Sequence, residues 1–293
     1  MKKVLKINAL IAIISLIGMT VFGLVARNDL KNHLTYEPLA GEYDPDEIKV
    51  LNVNVDNRNI IIGPSLTGKI NLSFYVSNID TYTLNTNNDT VSLDIKTPWF
   101  QGLLYSRTIF NLSFDPEISK IMINVPTGAL DNFKVRTANG KIEVNDLTTN
   151  IFNAQTSNGT ISVKNTSTSS TTLTSANGSV ILNEFNSTNL NIQTSNGEIK
   201  GDYVTSPIIK SKTDNGQIKF IDVTSDDLST TTSNGNIILR INGVFTDFKT
   251  TVSTTNGTIK IDDQKYSNGT YNVGQVKTIS ALTSNGYIRL NFS

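Results

Sequence analysis

One phrase that returns at a fixed interval limits what this chain can fold into more than any other feature. Thr-Ala-Asn-Gly ends at Gly140, and close copies end at Gly159, Gly178, Gly197, Gly216 and Gly235. The asparagines of these copies, Asn139, Asn158, Asn177, Asn196, Asn215 and Asn234, lie 19 residues apart throughout. The phrase appears again at Asn256 and Asn285, after intervals of 22 and 29 residues. An aliphatic residue follows each copy: Ile142, Ile161, Val180, Ile199, Ile218, Ile237, Ile259 and Ile288. An unbroken period of this length is the mark of a solenoid, in which each unit buries its apolar side only against its neighbours.

The local pattern says what each unit is made of. Runs such as Phe133-Lys134-Val135-Arg136-Thr137 and Gln217-Ile218-Lys219-Phe220 alternate apolar and polar residues, the pattern of strands. Asn-Gly between two such runs is also a strong hairpin signal, so a sandwich of hairpins is the competing fold. Hairpins would not require an unbroken period. The constant 19 favours an all-β, single-stranded β-helix with one coil per unit. Equivalent residues would then stack about 4.8 Å apart. The Ile/Val column becomes a dry ladder, and the column Thr137, Thr156, Ser175, Thr194, Thr213 and Thr232 becomes a ladder of hydroxyls. The asparagines form a structural amide ladder of the kind seen in cross-β stacks. The glycine of each phrase is expected to supply a positive φ at the corner.

Composition narrows the class. Only 17% of the 293 residues are charged, and 22 basic residues face 25 acidic ones once Lys2, Lys3 and Lys6 are set aside. There is no basic stripe of the kind that binds nucleic acid. Cysteine is absent, which excludes disulfides and cysteine-based metal or redox sites. His33 is the single histidine, so no histidine triad or cluster can sit in the coils. The chain is read as using no cofactor and no metal.

Taken in order, residues 1–26 read as an N-terminal transmembrane anchor. Ile7–Ala26 is long and apolar enough to cross a bilayer as a helix, and the lysines before it place its start in the cytoplasm. A cleaved signal ending near Leu24-Val25-Ala26 is the competing reading. Residues 27–46 read as a polar linker with a short helix near Leu30–Leu34. Residues 47–132 read as irregular first coils or a cap, with Asn88-Asp89-Thr90-Val91 as a decayed copy of the phrase. Residues 133–293 form the regular coils. Trp99, Phe100, Leu103, Leu104 and Tyr105 make the densest apolar cluster outside the anchor. They read as a loop folded over the cap or as a contact loop for a membrane or partner. The longer intervals near Arg240–Asp247 and Asp262–Val276 predict loops on one face. The strand Tyr287–Asn291 is expected to leave an edge that is short or covered by a partner.

Chemistry has one candidate column: Asp146, Asn165, Glu184, Tyr203 and Asp222, with Asp226 and Asp227 nearby. Glu184 and Asp222, two coils apart at about 10 Å, sit near the upper limit for an inverting carboxylate pair. Acids on a solvent-facing column more often serve solvation, and no residue is assigned a catalytic role on this basis. Asp262-Asp263 could help hold calcium, but the repeats lack the glycine-rich motif of calcium-binding β-rolls.

The runs Leu51-Asn52-Val53-Asn54-Val55, Asn59-Ile60-Ile61-Ile62-Gly63-Pro64-Ser65, Val91-Ser92-Leu93-Asp94-Ile95 and Ile123-Asn124-Val125-Pro126 lead into the repeat phrases. In that order the chain resembles the bacterial adhesin-like family catalogued as domain of unknown function 4097. Its membrane-tethered members include LiaG-type proteins of Gram-positive envelope-stress operons. The resemblance runs from about Ile48 to the C-terminus and implies a β-helical envelope domain with no established catalytic residues. The resulting expectation is a non-enzymatic, single-pass membrane protein with its C-terminal domain outside the cell. It would act as an adhesin or envelope-stress accessory module that meets cell-wall polymer or an envelope protein. The alternatives are a carbohydrate-active lyase or hydrolase using surface carboxylates, and a sensor that signals through the anchor.

Overall fold

The computed structural model describes residues 35–98 and 118–293. The expected anchor, His33 and the contact cluster Trp99–Tyr105 lie outside the described residues. Among the described residues no helix is long and apolar enough to cross a membrane.

The described chain is all-β. At the N-terminal end come β1 (Tyr36–Tyr43), β2 (Val50–Val55), β3 (Asn59–Pro64), β4 (Ile70–Ser77), β5 (Thr81–Asn87), β6 (Thr90–Lys96) and β7 (Lys120–Val125). The regular coils contain β8 (Asn132–Thr137), β9 (Ile142–Asn145), β10 (Thr148–Thr156), β11 (Ile161–Ser175), β12 (Val180–Gln193), β13 (Ile199–Thr205) and β14 (Ile208–Thr213). They continue through β15 (Ile218–Thr224), β16 (Asp227–Asn234) and β17 (Ile237–Ile241). The C-terminal end holds β18 (Phe248–Asn256), β19 (Ile259–Ile261), β20 (Gln264–Tyr266), β21 (Gly269–Tyr271), β22 (Lys277–Asn285) and β23 (Ile288–Phe292).

In the middle, strands pair in parallel and each residue lies over its 19-residue equivalent. Ile142 pairs with Ile161, Ile161 with Val180, Val180 with Ile199, and Ile199 with Ile218. Alternation puts these residues inside, and all five are fully buried. Parallel pairing of near-identical coils makes the core a set of columns rather than a jigsaw of unlike contacts. One column runs Val144, Val163, Leu182, Gly201, Phe220, Leu239. Gly201 is a packing glycine here, because a Cβ on it would enter the Phe220 ring.

Two features of the corners differ from expectation. The repeat glycines do not supply positive φ; they supply close approach. A Cβ on Gly159, Gly178, Gly197, Gly216 or Gly235 would run into the carbonyl oxygen of the glycine one coil below. Positive φ instead falls at the other corner, on Asp146 (55°), Asn165 (46°), Glu184 (53°), Tyr203 (58°) and Asp222 (57°). Asn and Asp tolerate this region; Glu184 and Tyr203 are held there by the stack on both sides.

The ends depart from chain order. Coil β2–β3 lies directly against β8–β9, with Leu51 opposite Phe133 and Ile60 opposite Ile142. Coil β6–β7, later in sequence, lies outside it, with Val91 opposite Leu51 and Ile121 opposite Ile60. Antiparallel strands then close that end: β5 on β6, β4 on β7, and β1 on β4. Tyr36–Tyr43, placed in the linker by its composition, is therefore a paired strand of the cap. Asn88 (φ 52°) sits in the β5–β6 hairpin turn, so the decayed phrase is not a coil corner.

At the other end β22–β23 is threaded between β16–β17 and β18–β19. Ile237 pairs with Ile288, and Ile288 with Ile259. The final strand is thus interior, and needs no partner to cover it. The two longer intervals form the cap rather than lateral loops. β20 and β21 fold back antiparallel on β19 and β18. Phe245 packs with Phe292 at 5.5 Å and Tyr266 at 5.8 Å, and Tyr266 with Tyr271 at 5.0 Å. Asp262 (φ 46°) and Asp263 (φ 61°) are the hairpin tip between β19 and β20.

Candidate functional site

The asparagines build a long ordered array on the surface. Each side-chain amide donates to the Oδ1 of the asparagine one coil away, at 2.5–2.9 Å: 139 to 57, 158 to 139, 177 to 158, 196 to 177, 215 to 196 and 234 to 215. The array continues from Asn285 to Asn234 and from Asn256 to Asn285, both at 2.8 Å. It follows the threaded order, not the chain order. Asn57 is a member that the phrase did not reveal, because Arg58 stands where the later copies have glycine.

The reason glycine is dispensable there is physical. Glycine is required where the carbonyl of another corner lies directly beneath, as the Arg58 carbonyl does beneath Gly140; among the described residues no such corner lies beneath Arg58. The Arg58 guanidinium donates to Asp80, whose side chain is fully buried, at 2.6 Å and to the Ile118 carbonyl at 3.0 Å. Asp80 also accepts from the Ser77 N–H at 2.7 Å and the Thr97 hydroxyl at 3.0 Å. The Thr97 N–H donates to Asp56 at 3.1 Å. This buried knot ties Thr97 and Ile118 to the same arginine–aspartate pair.

Beneath the asparagines the hydroxyl column works as a relay. Thr156 Oγ1 accepts from the Gly159 N–H at 3.0 Å and donates to the Gly140 carbonyl at 3.0 Å. Ser175 and Thr194 repeat this with Gly178 and Gly159, and with Gly197 and Gly178. Each hydroxyl therefore satisfies two buried backbone groups that the corner would otherwise orphan. A second interior hydroxyl column, Thr149, Thr168, Ser187, Ser206 and Ser225, was not read from the sequence. Its members bond to carbonyls or to one another, as in Thr149 to the Leu130 carbonyl at 2.7 Å and Thr168 to Ser187 at 3.0 Å. The signal was present as a small hydroxyl residue recurring every 19 positions.

The acid column is a structural corner. Asp146 accepts from the Asn165 amide. Asp222 takes both Nε and Nη2 of Arg240, at 2.9 and 2.7 Å. That pairing raises the Arg240 pKa, chiefly through the hydrogen bond itself. Asp226 faces Lys277 at 3.3 Å, and Asp227 accepts from the Thr278 hydroxyl at 2.5 Å. Tyr203 lies between Glu184 and Asp222 in the stacked column, so the two acids are not neighbours. Among the described residues no three His, Asp or Glu side chains converge on a metal-sized point.

Parallel coils stacked on a 19-residue repeat, with amide and hydroxyl ladders at one corner and antiparallel caps at both ends, define a capped β-solenoid. The family model described as Toastrack DUF4097 matches residues 48–291, and the chain belongs to that family. Solved structures with similar folds include a candidate adhesin from Parabacteroides merdae ATCC 43184. It is 11% identical, with 88% of this chain and 95% of that chain covered and a TM-score of 0.41. A candidate lipid binding protein from Parabacteroides distasonis ATCC 8503 is 13% identical, with 87% and 96% covered and a TM-score of 0.46. A candidate adhesin from Bacteroides fragilis NCTC 9343 is 13% identical, with 88% and 97% covered and a TM-score of 0.36. No curated protein matches the chain.

Proposed function

We infer that this chain is a non-enzymatic, membrane-anchored Toastrack domain held on the outer side of a bacterial cytoplasmic membrane. There it presents a stiff polar β surface to cell-wall polymer or an envelope protein, as an adhesin-like or envelope-stress accessory module. The observation that carries this reading is the continuous amide ladder from Asn57 to Asn256 along a rod-like stack. Such a surface is fixed in place by hydrogen bonds between its own side chains, so it can meet a long partner without first being ordered. The anchor reading rests on Ile7–Ala26 and the lysines before it.

The carboxylate alternative is weakened by Asp222, whose two oxygens are both engaged by Arg240. Topology is tested by adding protease to intact protoplasts that express the full chain. Loss of the C-terminal domain is the expected result, and full protection would reject the outside location. Retention of the full-length chain on purified wall polymer, with no sugar release, is the expected biochemical result.

A further inference from the structure

The hydrogen-bond relay of the corner stops at one place, and that place is a groove. Glycine carbonyls 140, 159, 178, 197 and 216 each receive a hydroxyl from the next coil. So do Gly235, from Thr283, and Gly286, from Thr254. Gly257 ends the stack. Its carbonyl receives no hydrogen bond from the protein among the described residues, and neither does the Oδ1 of Asn256, the last amide of the ladder. Gly257 lines a groove of about 500 Å³ together with Thr254, Thr258, Lys265, Ser267 and Asn268. The far wall is rigid: Asn268 clamps Thr254 by accepting from its N–H at 2.9 Å and donating to its carbonyl at 3.0 Å.

Beside the groove runs a row of like charges. Lys260 lies directly opposite Arg289 on one side and Lys265 on the other. Like charges placed opposite each other across a sheet are destabilising. None of the three makes an ion pair among the described residues, and Arg289 is held over the Tyr287 ring at 5.9 Å. Adjacent strands are about 4.8 Å apart, so the row spans about 10 Å.

We propose that this end of the rod is a binding site for a polyol phosphate chain. Ligand hydroxyls donate to the Gly257 carbonyl and Asn256 Oδ1, in place of the next coil's threonine and asparagine. Ligand phosphates lie along Arg289, Lys260 and Lys265. Acceptors alone would suit any sugar, and cations alone any polyanion; the two together select a ligand that carries both groups. This deepens the wall-polymer reading and rests on it.

The test is calorimetric titration of the full-length chain with four probes. Oligo(glycerol phosphate) is expected to bind most tightly. Glycerol 3-phosphate, dextran and inorganic polyphosphate each lack one element: repeated phosphates, charge, or hydroxyls. In the double variant Lys260→Glu/Lys265→Glu, affinity for oligo(glycerol phosphate) should fall by at least about tenfold with an unchanged melting temperature. The single variant Lys265→Gln should fall by less and guards against loss of folding. Equal binding of polyphosphate or dextran, or undiminished binding by the double variant, overturns the proposal. If the double variant still binds wall polymer as well as the wild type, this site fails while the broader reading stands. If the wild type binds no wall polymer at all, the broader reading fails first.

Discussion

The regular coils and the two ends are built from the same strands but obey different rules of order. From β10 to β17 each coil rests on the one before it in sequence, and the spacing of contacts is 19 residues until a bulge makes it 18 between Val223 and Ile241. At both ends a coil later or earlier in the chain is slipped between two others. Contacts there span 40 residues, as between Leu51 and Val91, or 51, as between Ile237 and Ile288. The difference has a physical origin. A coil inside the stack finds a parallel partner on both sides. A terminal coil does not, and would offer a row of unpaired backbone groups. Threading lets the chain turn back on itself, and the turning segments become the antiparallel strands β4, β5, β20 and β21 that cover the outermost coils.

Six substitutions, arranged as four tests, sharpen that contrast. The largest effect is expected at a repeat glycine of the middle. Gly178→Ala drives a methyl into the Gly159 carbonyl. It should cost more than about 4 kcal/mol or prevent folding, measured by chemical denaturation. Gly63 is the matching control at the N-terminal end, where a Cβ would meet nothing closer than 3.7 Å and φ is ordinary. Gly63→Ala should change stability by less than about 1 kcal/mol. If the two cost the same, close approach is not what the repeat glycine provides.

Next comes the buried knot of the N-terminal end. Arg58→Met leaves Asp80 buried without its cation, which should cost about 3–5 kcal/mol. Hydrogen exchange should show the loss concentrated in β6 and β7 rather than in β12 to β15.

The two ladders of the middle should separate cleanly. Thr194→Val removes a hydroxyl that serves two buried backbone groups, for a loss of about 2 kcal/mol. Asn196→Ala breaks the exposed amide ladder and should cost less than about 1 kcal/mol, since water can replace each lost bond. Equal losses would mean that the surface ladder carries as much of the fold as the relay beneath it.

The smallest effect belongs to the exposed pair Lys69 and Asp44 in the N-terminal cap. The Lys69 hydrogen bond, then the Asp46 N–H, holds the Asp44 carboxyl below its ordinary value of 3.8. A lowered folded-state pKa means the contact contributes above that ordinary value and fades as pH falls through the lowered one. Lys69→Met should therefore narrow the stability gap between neutral and acid pH slightly, read from denaturation midpoints.

Most of the middle was legible because it repeats. The aliphatic ladder follows from Ile142, Ile161 and Val180 alone, since a fixed period leaves one stacking register. The role of glycine was misassigned because Asn-Gly carries two meanings. It marks a positive φ in hairpins, whereas here it marks a backbone that approaches another backbone. Asp146 and its equivalents looked like a row of acids, yet what the positions share is a left-handed corner that also admits Asn165 and Tyr203. The threading at the ends was not legible, because the phrases at Asn256 and Asn285 look alike and nothing local says which stacks on Asn234. Arg58 hid Asn57 for a similar reason: its partner Asp80 is 22 residues away and has no periodic signal.

The most direct test of the account is a disulfide trap in this cysteine-free chain. Ser229 lies directly over Ser280, and Ser280 over Thr251, so Ser229 and Thr251 are two strands apart. Neighbouring strands are about 4.8 Å apart, within reach of a disulfide, and strands at twice that distance are not. Under mild oxidation Ser229→Cys/Ser280→Cys should cross-link rapidly within one chain, while Ser229→Cys/Thr251→Cys should stay reduced. The reverse result would mean that the coils stack in simple chain order, and the threaded end described here would be wrong.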